Sequence, residues 1–401
     1  MLLMHDVRKK TVWQRVGEWL RRIDIPMLFG LLVLMGGSLL ILRSAGSSDE
    51  GILMRQTLRF AAAIGILLAI VAVPPRYIRR LTAPAYWLTL VLLLLVLIIG
   101  SRSNGAQRWL NIGIARIQPS ELAKLTIPLM VAWLVTVRVA VPGIGSVLLA
   151  LAIIAVPAIL ILMEPDLGTA LLVSASGFIT LFLAGMPRWI MLLGGALAAV
   201  ALPLFWMFGI KDYQRDRVLT LFNPEADPFG NGYHIIQSKI AIGSGGLFGK
   251  GYMQGTQSQL EFLPESSTDF IFAVIAEETG LIGIGLLLLC YGLIIARGLY
   301  LALHLTDRFA RIMVASILLT LFINVFVNIG MVSGVLPVVG VPLPFISYGG
   351  TSLMISMASV GILLNIGQHG TGASNRSKLR EALERDVAKK KAERHLRLVK
   401  K

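Results

Sequence analysis

Charge is scarce in this chain. Asp, Glu, Lys and Arg together make up 15% of the 401 residues, against 56% for the hydrophobic types. That is too little polar surface for two or three soluble domains of the usual size, so the domain estimate from length does not apply. Cysteine is scarcer still: Cys290 stands alone inside an apolar run, which excludes an internal disulfide and leaves a packing role. Histidine is thin as well. His5, His234, His304, His369 and His395 are scattered, and no two fall at the spacing of a helical metal-binding pair. Acids are outnumbered 22 to 37 by Lys and Arg, giving a net charge of +15. In a soluble protein that excess would suggest nucleic acid. Here the positives gather at the termini and in short loops, so topology explains them and no nucleic-acid partner is expected.

What the chain has in quantity is long runs of Leu, Ile, Val and Ala of membrane-crossing length. Ten runs are read, over 25–42, 57–74, 84–100, 121–137, 145–162, 167–184, 189–208, 270–296, 309–334 and 347–367. The expected fold is an all-α polytopic membrane protein of about ten transmembrane helices. An even count puts both termini on one side. Arg8, Lys9, Lys10, Arg15, Arg21 and Arg22 share that side with Arg76, Arg79, Arg80, Arg138, Arg188, Arg297, Arg308, Arg311 and the tail, which marks it as cytoplasmic. The two longest loops, near 101–120 and 209–269, then face outward, the larger lying between helices 7 and 8. The chain divides into a basic N-terminal segment (1–24), a membrane domain (25–367) and a basic tail (368–401). Val12, Val16, Trp19, Leu20 and Ile23 form an apolar stripe suited to lying on a membrane, and the tail suits anionic lipid. The first run is long enough to span, so the N-terminus does not read as a signal peptide.

Polar breaks collect on the outer face. "SRSNGAQRWLNIGIARIQPSELAKL" holds Arg108, Arg116, Glu121 and Lys124; Pro119 suits a helix start, and Glu121 and Lys124, three apart, point the same way. That pattern fits either an ordinary helix start with a surface ion pair or one wall of a site. In "MEPDLGTALL", Asp166 can cap the sixth helix and Glu164 sits near its N-terminus. "GSGGLFGKGY" lacks the spacing and the Ser or Thr of a phosphate loop, so its glycines read as flexible turns. In "SQLEFLPESSTDFIFAVIAEETGLIG", Glu261, Glu265 and Asp269 fall four apart, but Pro264 breaks a continuous helix through them. Asp269 precedes an apolar run, where a charge is costly unless it faces a wet cavity; the alternative is a helix cap. "VGVPLPFISYGGTSLM" must be buried in protein or line water. Basic groups here can hold a diphosphate, and a carboxylate can take a proton from a sugar hydroxyl.

Five ordered motifs, "GAQRWLNIG...RIQPSELAK", "EPDLGTALL", "GSGGLFGKG", "FLPESSTDFIFAVIAEETGLIG" and "PFISYGGTSLM", resemble those of the SEDS family (shape, elongation, division and sporulation), nearest to its RodA branch rather than its FtsW branch. The likeness covers about 20–367. Many members carry His where this chain has Ser267. The resemblance implies a peptidoglycan glycosyltransferase that joins lipid II into β-1,4 glycan strands on the outer side of the bacterial cytoplasmic membrane. It places the essential acid at Asp269 and substrate-binding positions at Arg116, Lys124 and Glu261, with Glu121, Asp166, Arg108 and Trp109 beside them. Asp269 then acts as general base or holds a divalent cation, Mg or Mn; no cofactor is otherwise implied. The implied partner is a class B penicillin-binding protein, alongside lipid II and membrane lipids. A lipid II flippase is the competing class, but transporter sites lie near the bilayer midplane on broken helices; an FtsW-like division paralogue is the other alternative.

Overall fold

The computed structural model describes residues 24–46, 51–103, 106–113, 116–138, 143–209, 212–227, 230–260, 262–263 and 265–367. The N-terminal stripe, the tail and Glu261 lie outside them.

Helices dominate. They are α1 (Ile25–Ala45), α2 (Ile52–Ala72), α3 (Pro75–Ile99), α4 (Pro119–Arg138), α5 (Ile144–Met163), α6 (Leu167–Leu183), α7 (Arg188–Leu204), α8 (Asp212–Phe222), α9 (Asn231–Ser244), a single turn α10 (Thr256–Gln259), α11 (Ile271–Leu303), α12 (Arg308–Val332) and α13 (Thr351–Gly367). Seven of these, α1 to α5, α11 and α12, are long and apolar enough to cross a membrane, and α6, α7 and α13 are shorter apolar helices. The chain is a multi-pass membrane protein.

Local sequence sets the helix starts. Asp24 accepts from the Met27 amide at 3.2 Å, and Pro26 follows in the first turn. Asp166 and Asp307 cap α6 and α12 in the same way. Pro84, Pro128 and Pro157 sit inside helices, as membrane helices allow when neighbours satisfy the freed carbonyls.

The fold is not purely helical. Three short antiparallel strands occupy the first long loop: β1 (Ser101–Ser103), β2 (Ala106–Asn111) and β3 (Arg116–Ile117), in the order β1-β2-β3. An apolar-run reading cannot see strands this short. The second long loop likewise folds, into α8, α9 and α10.

α4 lies at the centre, with 78% of its apolar window buried against 28–44% for the other long helices. It packs on α3, α5, α6 and α12, while α11 packs on α1, α9 and α12. Successive chain reversals sort the termini into two ends. One end carries Ala45, Ile52, Ile99, Pro119, Met163, Leu167 and Val332. The other carries Asp24, which pairs with Arg297 at 2.8 Å, and Arg308, which donates to the Ala184 carbonyl at 2.9 Å.

The eighth run, read as one span over 270–296, is two pieces. Gly280 breaks α11 with φ 63° and ψ −160°, a region open to glycine alone. The piece before it, 271–279, is enclosed by protein; the piece after it runs along the bundle.

Candidate active site

Asp269 stands in a tight turn just before α11. The Thr268 and Phe270 amides both donate to the Glu265 carbonyl, at 3.1 and 3.2 Å. Phe270 is the N-cap of α11 and no side chain caps it, so the Asp269 carboxylate is not used as a cap. The turn is clamped from the other side by the irregular stretch 337–350. Asn328 of α12 donates to the Asp269 carbonyl at 2.9 Å and to the Val341 carbonyl at 2.6 Å. Ser347 Oγ donates to the Thr268 carbonyl at 2.6 Å, and the Tyr348 amide to the Ser267 carbonyl at 2.8 Å. Ser38 of α1 and Tyr291 of α11 donate to the Ile346 and Pro344 carbonyls. A broken backbone at this depth needs such partners. Gly340, at φ +73°, leaves room for the carboxylate: a Cβ there would stand 3.3 Å from Asp269 Oδ2.

Burial pushes the Asp269 carboxyl up to about 7; Glu265 and Glu121 push the same way, while Lys124 and Arg108 pull it down. It therefore sits close to the pH at which a carboxylate makes an efficient general base. Lys124 and Glu121 pair at 2.6 Å near the start of α4, each only 7% exposed. Both line a cavity of about 40 Å³ between α4, α12 and α13, with Thr320, Asn324, Ser352 and Ser356. Asn324 Oδ1 is buried there with no hydrogen-bond partner among the described residues. The space suffices for ordered water.

The third wall is the α5–α6 turn. Arg108 on β2 donates to the Pro165 carbonyl at 2.7 Å and lies 3.5 Å from Asp166 Oδ2. Asp166 also accepts from the Thr169 amide and hydroxyl, at 3.1 and 2.9 Å, so it is both cap and arginine anchor. Glu164 is fully buried, and neither carboxyl oxygen has a hydrogen-bond partner among the described residues. Burial raises it to about 8, with Asp166 adding to the rise and Arg108 opposing it.

Of the residues singled out in the sequence, Lys124, Glu121 and Arg108 thus lie within electrostatic reach of Asp269, and Asp166 anchors Arg108; Glu121 and Lys124 alone among them line the cavity. Arg116 does not join them in the expected way: its side chain is exposed on β3, and what the structure uses is its carbonyl, which accepts from Thr351 Oγ1 at 3.4 Å. Trp109 is half-buried on β2. Strand alternation points it to the face opposite Arg108. Among the described residues no three His, Cys, Asp or Glu side chains converge as a metal-ligand group.

Two features escaped the sequence reading. Arg55 and Arg59 lie in the first two turns of α2; the apolar run over 57–74 begins after Arg55 and encloses Arg59 without marking it. Charged residues inside a membrane helix are a signal in their own right. The other is the role of the glycine-rich loop, which is tight rather than flexible. The Lys250 and Gly251 amides donate to the Glu277 and Glu278 carbonyls, and the Leu281 and Ile282 amides to the Gly246 and Leu247 carbonyls. A Cβ at Gly245, Gly249 or Gly280 would collide with the facing backbone. Beneath this knot Glu277, fully buried, accepts from Lys250 Nζ at 2.7 Å, Thr256 Oγ1 at 3.2 Å and the Gln257 and Ser258 amides at 3.0 and 3.3 Å. Ser44 donates to the neighbouring Glu278.

Comparison with known proteins adds three findings. The family model named for FtsW, RodA and SpoVE and described as "Cell cycle protein" matches residues 20–372. The peptidoglycan glycosyltransferase MrdB of Escherichia coli K12 is 48% identical over 90% of this chain and 96% of its own. Among solved structures, a chain from "Structural coordination of polymerization and crosslinking by a peptidoglycan synthase complex" superposes with a TM-score of 0.76 at 34% identity, covering 86% of this chain and 98% of that one. The rod shape determining protein RodA of Thermus thermophilus gives 0.66 at 29% identity, covering 87% and 97%.

Proposed function

The chain belongs to the FtsW/RodA/SpoVE family, and from that premise we propose that it is a peptidoglycan glycosyltransferase that polymerises lipid II into β-1,4 glycan strands for cell elongation. The observation that carries this reading is Asp269: a carboxylate not used for capping, raised to about 7, and facing Lys124 and Arg108.

The donor sugar is α-linked to a lipid diphosphate and the product is β-linked, so one displacement with inversion suffices. Asp269 takes the proton from the acceptor 4-hydroxyl as that oxygen attacks the anomeric carbon. The bond to the diphosphate breaks, and the leaving group departs with the electron pair. Lys124 and Arg108 lie where they can stabilise its charge, while exposed Arg116 meets substrate at the rim. Glu121 and Asp166 hold the two cations in place.

Asp269 with Glu265 also fits the sparse carboxylate set that magnesium or manganese accepts when substrate phosphates complete its shell. A cation held there would neutralise diphosphate charge.

The end opposite the site carries Arg76, Arg79, Arg80, Arg188, Arg297, Arg308 and Arg311. The positive-inside rule makes that end cytoplasmic, along with both termini of a ten-span chain, and turns Asp269 outward. On this reading the protein works in the cytoplasmic membrane, with a class B penicillin-binding protein as the partner that crosslinks its strands. Likeness to a chain of a peptidoglycan synthase complex, in which polymerization and crosslinking are coordinated, supports that pairing.

The test uses the protein purified with that partner, the partner's transpeptidase site inactivated, and labelled lipid II plus a divalent cation. Wild type gives glycan ladders on a gel. Asp269→Ala, still folded, gives none, a loss of about 10² or more. Ladders from both would remove Asp269 from the mechanism.

A further inference from the structure

Resting on the polymerase reading, we propose that Arg55 and Arg59, mounted on Tyr348, form a second anion subsite that takes the lipid diphosphate of the acceptor substrate.

Arg59 Cζ lies over the Tyr348 ring, 3.9 Å from its centroid. Arg55 Nε donates to the Tyr348 hydroxyl at 3.0 Å. The two arginines are one helical turn apart on α2, so both guanidinium groups reach the same tyrosine. Arg59 Nη1 is shielded from water and has no hydrogen-bond partner among the described residues. Two cations one turn apart repel each other, and at the end of a membrane helix both are costly to keep. Stacking recovers part of that cost and leaves the N–H edge of Arg59 clear of the ring, in the planar fork that phosphate oxygens fit.

Tyr348 ties this pair to the chemistry. Its amide donates to Ser267, two residues before Asp269. The pair therefore flanks the same turn; the cations that pull Asp269 down are Lys124 and Arg108.

Substrate chemistry distributes the two clusters. The donor's diphosphate is bonded to the carbon under attack, so it must lie beside the base and its cations. The acceptor also carries a lipid diphosphate, but its reacting 4-hydroxyl is at the far end of a disaccharide. A cluster set off from Asp269 and open to the membrane edge of α2 suits that second diphosphate. The same phosphate chemistry is offered by the headgroups of anionic phospholipids, and the experiment separates the two sources.

Coupling is measured with labelled lipid II as donor and a lipid II phosphonate analogue, whose non-cleavable linkage lets it accept but not donate. Arg59→Gln, and Arg55→Gln with Arg59→Gln, are assayed in neutral detergent and in phosphatidylglycerol vesicles, with Arg59→Lys as a folded control that keeps the charge. The expected result is an acceptor KM raised about tenfold by Arg59→Gln, as loss of one charged contact implies. The KM is raised further in the double variant, donor KM and kcat change less than about threefold, and Arg59→Lys recovers part of the loss. An unchanged acceptor KM overturns the proposal. So does a kcat that collapses at constant KM, which would put the pair on the leaving group. A defect seen only in phosphatidylglycerol vesicles assigns the pair to phospholipid and also overturns it. Should the wild type make no glycan, the polymerase reading fails by itself. The subsite is then judged by binding of the phosphonate analogue in detergent, and equal binding by wild type and the double variant overturns it.

Discussion

Two Lys–Glu pairs with buried carboxylates differ in how completely the carboxylate is satisfied. Glu277 accepts Lys250, a threonine hydroxyl and two amides, and its surroundings are backbone held to backbone by the glycine knot. Glu121 accepts Lys124 at 2.6 Å, and the pair borders a cavity edged by an unpartnered asparagine oxygen. A fully satisfied network rigidifies; an under-satisfied one at a cavity is held in readiness for something else. The first pair is architecture and the second is equipment.

Replacing each pair sharpens that contrast. Glu121→Gln with Lys124→Met removes the charges without stranding a partner, so stability changes little while polymerisation falls about 10²-fold or more. Thermal unfolding and glycan ladders on the same samples check this. Glu277→Gln with Lys250→Met does the reverse. It strips charge from a carboxylate that four donors share and lowers stability by about 3 kcal/mol, read by denaturant unfolding, while activity per folded molecule holds within about threefold. Equal effects from the two replacements would erase the distinction.

Two further effects depend on pH. A base with a pKa of about 7 must be deprotonated to work, so the rate rises with pH through neutrality and is about tenfold lower at pH 6 than on its plateau. Lys124→Met removes a cation that pulls Asp269 down, and so moves that rise to higher pH. Glu164 acts on stability alone. Its folded pKa of about 8 lies above the ordinary 4.5, so its contribution to stability is full below about 4.5 and is lost as pH rises through 8. The melting temperature falls over that range, and Glu164→Gln flattens the fall.

Much of this was legible in the chain. Runs of about 20 apolar residues announce spans because lipid offers the backbone no other partner, and all ten runs coincide with apolar helices. Asp166 read as a cap because capping is local. The Gly280 break was not legible, since hydropathy continues across it unaltered. Nor were the short strands, which owe their existence to cross-strand pairing rather than to pattern. The glycine loop misled for a related reason: a glycine needed for close approach looks in sequence like a glycine needed for freedom. Arg108 and Arg116 were indistinguishable as letters in one loop; the register of the ribbon separates them.

The break at Gly280 also bears on how the protein meets a changing bilayer. The lipid-facing length of α11, beyond the break, must tilt with membrane thickness or with any neighbour leaning on it. The acid-bearing turn lies on the other side of a joint, stitched to a loop and to α12 rather than continuing the same rod. The glycine knot locks that joint, backbone to backbone, so the load of a tilting span falls on the knot before it reaches the reacting groups.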